Sequence, residues 1–264
     1  MTFSELLATA RLDPAGALTL SVPARWMQGR SVFGGLQAAA AVRAMRVLVP
    51  QMPLRTLQAT FLAPVAGELR AAARVLRTGK NTVMVEARIG EAESAQALVT
   101  AVFGNARSSA AVRVPAVRAS ASEGTQVFEP PRDGSDGAPH FAHNFRVRWL
   151  DGGHPFAGDP GVTRQVLELG MDEPGPATES HVIALADFIP PVAFAQLRAP
   201  APGSTLTWML ELLAERFDHL PLTGWRVEAE LIAARDGYTS QALTLFGPGG
   251  EPIARGNQSM LVFG

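Results

Sequence analysis

The chain contains no cysteine. That excludes a thiolate nucleophile, a disulfide framework and a cysteine-ligated metal, and it fits a reducing cytoplasm. An excess of charge is missing too: 23 Lys and Arg stand against 24 Asp and Glu, a formal net charge of −1, and no long basic block occurs. Nucleic-acid binding rests on phosphate neutralisation and has no footing in such a chain. A membrane-spanning run is also lacking. The apolar stretch around Ala38 to Val49 is broken by Arg43 and Arg46 and is too short to cross a bilayer. Met1 to Asp13 has no basic segment followed by an apolar run, so no signal peptide is expected. A cytoplasmic protein without membrane insertion follows as the expectation.

Several catalytic signatures are absent as well. No G-x-S-x-G occurs, which leaves a serine nucleophile elbow unsupported. There is no P-loop lysine motif and no G-x-G-x-x-G. Of the five histidines (His140, His143, His154, His181 and His219), only His140 and His143 are close in sequence, and no carboxylate-rich set accompanies them. Neither a metal site nor a cofactor is expected.

What is present is an apolar, globular composition. The chain has 264 residues, 47% hydrophobic and 18% charged, enough to bury a sizeable core in one large or two moderate domains. The first half opens with a strand at 18–22. Phe33-Gly34-Gly35 then leads into an Ala- and Leu-rich segment, which predicts a helix from near Gly35 to before Pro50. Strands follow at 56–62, at 73–89 with a break at Thr78-Gly79-Lys80-Asn81, and at 95–103. In 82–89, Val83, Val85, Ala87 and Ile89 alternate with Met84, Glu86 and Arg88, a period of two.

From 107 to 140 Ser, Ala, Pro, Gly and Asp dominate, with Glu129-Pro130-Pro131-Arg132-Asp133-Gly134 inside, which reads as a linker. The second half repeats the scheme. Strands are expected at 145–149 and 164–169, a helix at 181–188 running into Pro190-Pro191, then strands at 205–212, 226–234, 241–246 and 253–263. Asp236-Gly237 and Gly247-Pro248-Gly249-Gly250 supply turns. Strand, helix, then antiparallel meander occurs twice, with Thr56-Leu57 and Thr205-Leu206 each opening the first strand after the helix. Two such copies can join their sheets and pair their helices. The division expected is a first repeat over 1–106, a linker over 107–140, and a second repeat over 141–264.

Four places could carry chemistry. Asp187 stands alone in the apolar run Val182 to Ile189, either facing solvent at a helix end or buried. Burial would raise its pKa and make it a better base near neutral pH. In the last strand Ala254, Gly256, Gln258, Met260 and Val262 share one face, so Gln258 is expected inside, where its amide needs partners. Thr205 and Thr207 are expected on one side of their strand, opposite Leu206, Trp208 and Leu210, and a threonine hydroxyl can orient a water. Gly34-Gly35 opens a helix whose free N–H groups form an oxyanion-binding geometry. The alternative at each is structural: a satisfied amide, an ordinary strand threonine, a glycine pair kept for packing.

Together these residues resemble the acyl-CoA thioesterase II family, the double-hotdog thioesterases. In the first half the resemblance rests on Trp26, Val32-Phe33-Gly34-Gly35, Phe61-Leu62-Ala63-Pro64 and Arg77-Thr78-Gly79-Lys80. In the second it rests on Asp187 in its apolar helix, Thr205-Leu206, Asp236-Gly237 and Gln258. It implies an α+β double hotdog, two helix-wrapped antiparallel sheets fused in one chain. It also implies an acyl-CoA substrate and a catalytic set of Asp187, Thr205 and Gln258 that orients a water, with Thr207 the alternative threonine. Gly34 and Gly35 would bind the oxyanion. A homodimer or higher homo-oligomer is the expected assembly. Arg77, Lys80 and Arg255 are basic residues open to the CoA phosphates. Two other readings remain: a non-catalytic acyl-CoA or lipid-binding double hotdog, and a hotdog enoyl-CoA hydratase. The latter usually has a histidine soon after the Asp; none occurs after Asp187 through Ala193.

Overall fold

The computed structural model describes residues 1–14, 16–91, 93–111, 113, 116, 128–130 and 137–263. Much of the expected 107–140 linker, including 131–134 of its Pro- and Gly-containing core, lies outside the described residues.

The first half contains α1 (Phe3–Ala8), β1 (Arg11–Leu12), β2 (Leu18–Ser21), the short pair β3 (Met27–Gln28) and β4 (Ser31–Val32), then α2 (Gly34–Leu48). The meander β5 (Leu54–Phe61), β6 (Glu68–Thr78), β7 (Thr82–Glu91) and β8 (Ser94–Gly104) follows. The second half contains β9 (Phe145–Asp151), β10 (Arg164–Met171), α3 (Glu179–Ala186), and the meander β11 (Gly203–Leu212), β12 (Trp225–Arg235), β13 (Tyr238–Phe246) and β14 (Pro252–Val262). The strands at Thr56-Leu57 and Thr205-Leu206 each begin two residues before those dipeptides, the same offset in both halves.

Twelve strands form one antiparallel sheet in the order β1-β2-β6-β7-β8-β5-β11-β14-β13-β12-β10-β9. The order reads the same from either end: β5 corresponds to β11, β8 to β14, β7 to β13, β6 to β12, β2 to β10. The two halves meet at β5 and β11, where Trp208 pairs with Ala59 and Leu210 with Leu57. Each half is thus a helix held against an antiparallel sheet, and the fold is a double hotdog.

The helices pair with each other inside this sheet. Ala38 to Ala41 of α2 are fully buried and small, which lets α3 approach closely. The two helices run antiparallel. Gly35 at the start of α2 lies against Ala184 near the end of α3, and Arg46 near the end of α2 grips Glu179 at the start of α3 through Nε and Nη2. The N-terminus of α2 therefore faces the C-terminus of α3.

The short α1 has no counterpart among the expected elements. Its capping box, Thr2 with Glu5, closes the first turn, and Phe3 is buried between Trp26 and His181. Ser4, itself exposed, completes a polar cluster around the buried His181 at the base of α3. The Thr178 N–H donates to His181 Nδ1 (3.0 Å), so the imidazole carries its proton on Nε2 and donates it to Glu173. Ser4 adds its backbone N–H (3.1 Å) and hydroxyl (2.9 Å) to the same carboxylate. Burial alone would push Glu173 up, but the hydrogen bonds from His181 and Ser4 outweigh it and hold it at about 2. A depressed carboxylate contributes stability that is complete above its unfolded value of 4.5 and is lost as pH falls through about 2. Wild type is expected to lose roughly 2–3 kcal/mol over that interval through this group. Thermal unfolding of Glu173→Gln across the same range should show a flatter acid limb; an unchanged limb would remove Glu173 from the account.

Candidate active site

Asp187 is the C-cap of α3, in the αR region, where the chain turns toward Pro190-Pro191 and the helix cannot continue. It is buried, not solvent-facing. The opposing N-terminus of α2 has no side-chain cap of its own, because Phe33 occupies that position. The Asp187 carboxylate fills the role from across the helix pair by accepting the Gly35 N–H. Gly34 lies so close to the same carboxylate that a Cβ there would sit 2.7 Å from Oδ2. Glycine is required at this position for contact, not for backbone freedom.

An aromatic cluster fixes both segments. Phe33, just before Gly34, stacks on Phe141 at 4.1 Å, and Phe188, just after Asp187, packs on Phe145 at 4.8 Å and on Phe141 at 5.9 Å. Trp26 belongs to the same core, against Phe3 and Phe145.

Gln258 lies on the buried face of β14, as its alternation predicts, and its Nε2 donates to Asp187 Oδ1 at 2.8 Å. Burial pushes Asp187 up to about 8; the Gly35 N–H and Gln258 oppose this without cancelling it. Asp187 is thus a carboxyl group that changes charge near neutral pH, which a general base or acid needs.

The two threonines do not share a face. A β-bulge between Thr205 and Thr207 shifts the register, so Thr205 pairs with Met260 while Thr207 pairs with Ser259. Directly paired residues share a face, so half-buried Thr205 lies with Met260, Gln258 and Trp208 on the inner side. Thr207 is exposed on the outer side. The expectation of one common side, opposite Trp208, fails because the bulge breaks the period of two. Thr205 is a diagonal neighbour of Gln258 across the β11–β14 ladder and makes no direct hydrogen bond to Gln258 or Asp187.

Sequence reasoning missed one member of the site. Gln241 of β13 pairs with Gln258 and donates its Nε2 to Gln258 Oε1 at 2.9 Å. Its signal was the alternation of Thr239, Gln241, Leu243 and Leu245, all buried. Starting the strand at Gln241 hid that pattern. Two polar atoms on this face, Thr239 Oγ1 and Trp208 Nε1, are buried without hydrogen-bond partners among the described residues.

Of the basic residues open to CoA phosphates, Arg77 and Lys80 are exposed at the β6–β7 hairpin, and Arg255 is on the face of β14 opposite to Gln258. Among the described residues no three His, Asp or Glu are placed to hold a metal, and no helix is long and apolar enough to cross a membrane.

Fold and site together define a double hotdog with a titratable carboxyl group buried where the C-terminus of α3 lies beside the N-terminus of the antiparallel α2. The family model for the acyl-CoA thioesterase N-terminal domain matches residues 22–122, and that for the acyl-CoA thioesterase C-terminal domain matches residues 120–262. The chain belongs to the acyl-CoA thioesterase family. Solved structures share the fold. A conserved hot dog protein of unknown function from Alicyclobacillus acidocaldarius is 20% identical with a TM-score of 0.85, covering 99% of this chain and 98% of that one. An acyl-CoA thioesterase II from Mycobacterium marinum is 15% identical with a TM-score of 0.72, covering 99% and 98%. The dehydratase domain of RzxB from Pseudomonas fluorescens is 11% identical with a TM-score of 0.60, covering 98% and 99%. The last is a reminder that this fold carries more than one chemistry, so the reaction has to be argued from the site. A search of curated proteins found no match.

Proposed function

We propose that the protein hydrolyses acyl-CoA to a free fatty acid and CoA by direct attack of a water that Asp187 activates. The observation that carries this reading is the buried Asp187 carboxyl group, hydrogen-bonded by Gln258 and seated at the N-terminus of α2. The ionised carboxylate takes a proton from the water as its oxygen attacks the thioester carbonyl. The tetrahedral oxyanion forms, the C–S bond breaks, and the CoA thiolate leaves without a covalent enzyme intermediate. Gln258 has a second N–H beyond the one given to Asp187, and it orients the water together with the Thr205 hydroxyl. Since the Gly35 N–H is used by Asp187, the oxyanion donor is the Gly34 N–H, in a helical first turn with no intrahelical acceptor.

The repeats divide the labour in this reading. The second, 141–264, contributes Asp187, Thr205 and Gln258; the first, 1–106, contributes the α2 N-terminus and pocket walls. A hydratase mechanism has less support, because the helix that bears Asp187 offers no histidine beside it: His181 is buried at the other end, held by Glu173 and Thr178.

The test is release of free thiol from acyl-CoAs of graded chain length. Thiol release that depends on chain length supports the proposal. Acyl-CoA binding without thiol release reassigns the protein as a binder. Gln258→Ala is expected to lower kcat about 10-fold or somewhat more, because it frees the water's position without removing the base. It should also move the pH midpoint of the reaction upward, since Gln258 lowers the Asp187 pKa. A downward move would contradict that role.

A further inference from the structure

The direction of the Gln258 amide is not set by Asp187. It is set from behind, by a chain of hydrogen bonds that begins at the backbone. The Val192 N–H can only donate, so the group it meets at 2.9 Å must be the Gln241 carbonyl oxygen. That choice turns Gln241 Nε2 toward β14, where it donates to Gln258 Oε1 at 2.9 Å. Gln258 is then left with its Nε2 toward Asp187, and it donates to Oδ1 at 2.8 Å. Gln241 and Gln258 are both fully buried, so reversing either amide would set donor against donor and acceptor against acceptor with no bulk solvent to compensate. The starting donor is fixed as well, because Val192 opens the 3-10 turn Val192–Gln196 directly after Pro190-Pro191.

We propose that Gln241 is a positioning residue that locks the Gln258 amide with its N–H, and not its carbonyl, toward Asp187. The proposal rests on the reading of Asp187 as the base and adds what keeps it one. With its N–H inward, Gln258 favours the carboxylate. Flipped, it would present Oε1 to Asp187, which only the protonated acid can accept as a neighbour. Without Gln241 both orientations are open, and ionisation of Asp187 becomes harder.

No charged side chain competes for control of Asp187 among the described residues. On α2 it meets the Gly35 N–H, with Arg46 near the far end of that helix bound to Glu179. On its own helix Glu179 and His181 are at the opposite end. On β14 the charged residue, Arg255, and on β13 the titratable one, Tyr238, are both exposed. The turn Val192–Gln196 contains no titratable residue.

The experiment is a double-mutant cycle on the full chain with Gln241→Met and Gln258→Met, near-isosteric changes that remove the amides. Two readouts are taken. One is the pH midpoint of kcat/KM for thiol release. The other is the pH titration of the Asp187 carboxyl carbon by NMR in protein labelled with 13C-aspartate, assigned with Asp187→Asn. Gln241→Met is expected to raise the midpoint by about 0.5–1 pH unit and Gln258→Met by more. The double variant should match Gln258→Met alone, because Gln241 acts only through Gln258. An unchanged Asp187 titration in folded Gln241→Met, or shifts that add in the double variant, would overturn the proposal. If wild type releases no thiol from any acyl-CoA, the catalytic reading fails, while the carboxyl titration still decides the role of Gln241.

Discussion

Asp187→Asn is expected to hydrolyse acyl-CoA at least about 10²-fold more slowly than wild type, and to gain stability relative to wild type as pH rises. The first effect follows from removing the base while keeping its size. The second follows from the sign of the Asp187 shift. Burial raises its pKa from 3.8 to about 8, so the folded protein holds a proton there that the unfolded chain has released. Between these values wild-type stability falls as pH rises, and above about 8 the whole penalty is present. Asparagine is neutral throughout and escapes it. The gain is smaller than the full shift implies, because the amide that replaces the carboxylate would turn a donor toward the Gln258 N–H or the Gly35 N–H, each of which also donates. A net advantage of roughly 1–3 kcal/mol at about pH 9, shrinking toward pH 5, is the expectation. Thermal unfolding of both proteins at the two pH values measures it. A difference that does not widen with pH would mean that Asp187 is not a buried charge.

Gly34→Ala is expected to lower kcat by about 10²-fold in a protein that still folds. Alanine is a better helix former than glycine, so the helix itself gains. The loss comes from one methyl group 2.7 Å from Asp187 Oδ2 and 3.2 Å from the Phe61 ring. The carboxylate cannot simply step aside, since Gln258 and the Gly35 N–H hold it. Either the carboxylate or the first turn of α2 has to move, and both belong to the proposed site. Overpacking of this kind costs about 1–3 kcal/mol of stability. Near-normal kcat in Gly34→Ala would show that the close approach is not part of catalysis.

Much of this was legible in the sequence because much of it is local. The repeated strand–helix–meander order gave the double hotdog, and the unbroken alternation of β14 put Gln258 on the correct face. In β11 the same rule failed, because a bulge depends on how β11 pairs with β14 and leaves no mark in the residue pattern. Asp187 could be seen as unusual but not as buried. What buries it is the start of α2, some 150 residues earlier in the chain, together with β14. Gln241 was overlooked for a simpler reason: a strand boundary placed three residues late removed the neighbours that reveal its face. The small helix α1 carries a capping box, Thr2 with Glu5, but at six residues it is too short to show a repeated helical period in the sequence.

The central claim is that a buried Asp187 carboxylate activates the water that cleaves the thioester. The most direct measurement is the pH dependence of kcat/KM for thiol release, between about pH 6 and pH 10, with uncatalysed hydrolysis subtracted. The account predicts a rate that rises with pH through a midpoint near 8 in wild type, and that folded Asp187→Asn lacks this limb. Wild-type protein that releases no thiol from any acyl-CoA, or an Asp187→Asn variant that keeps both the rate and the midpoint, would contradict it.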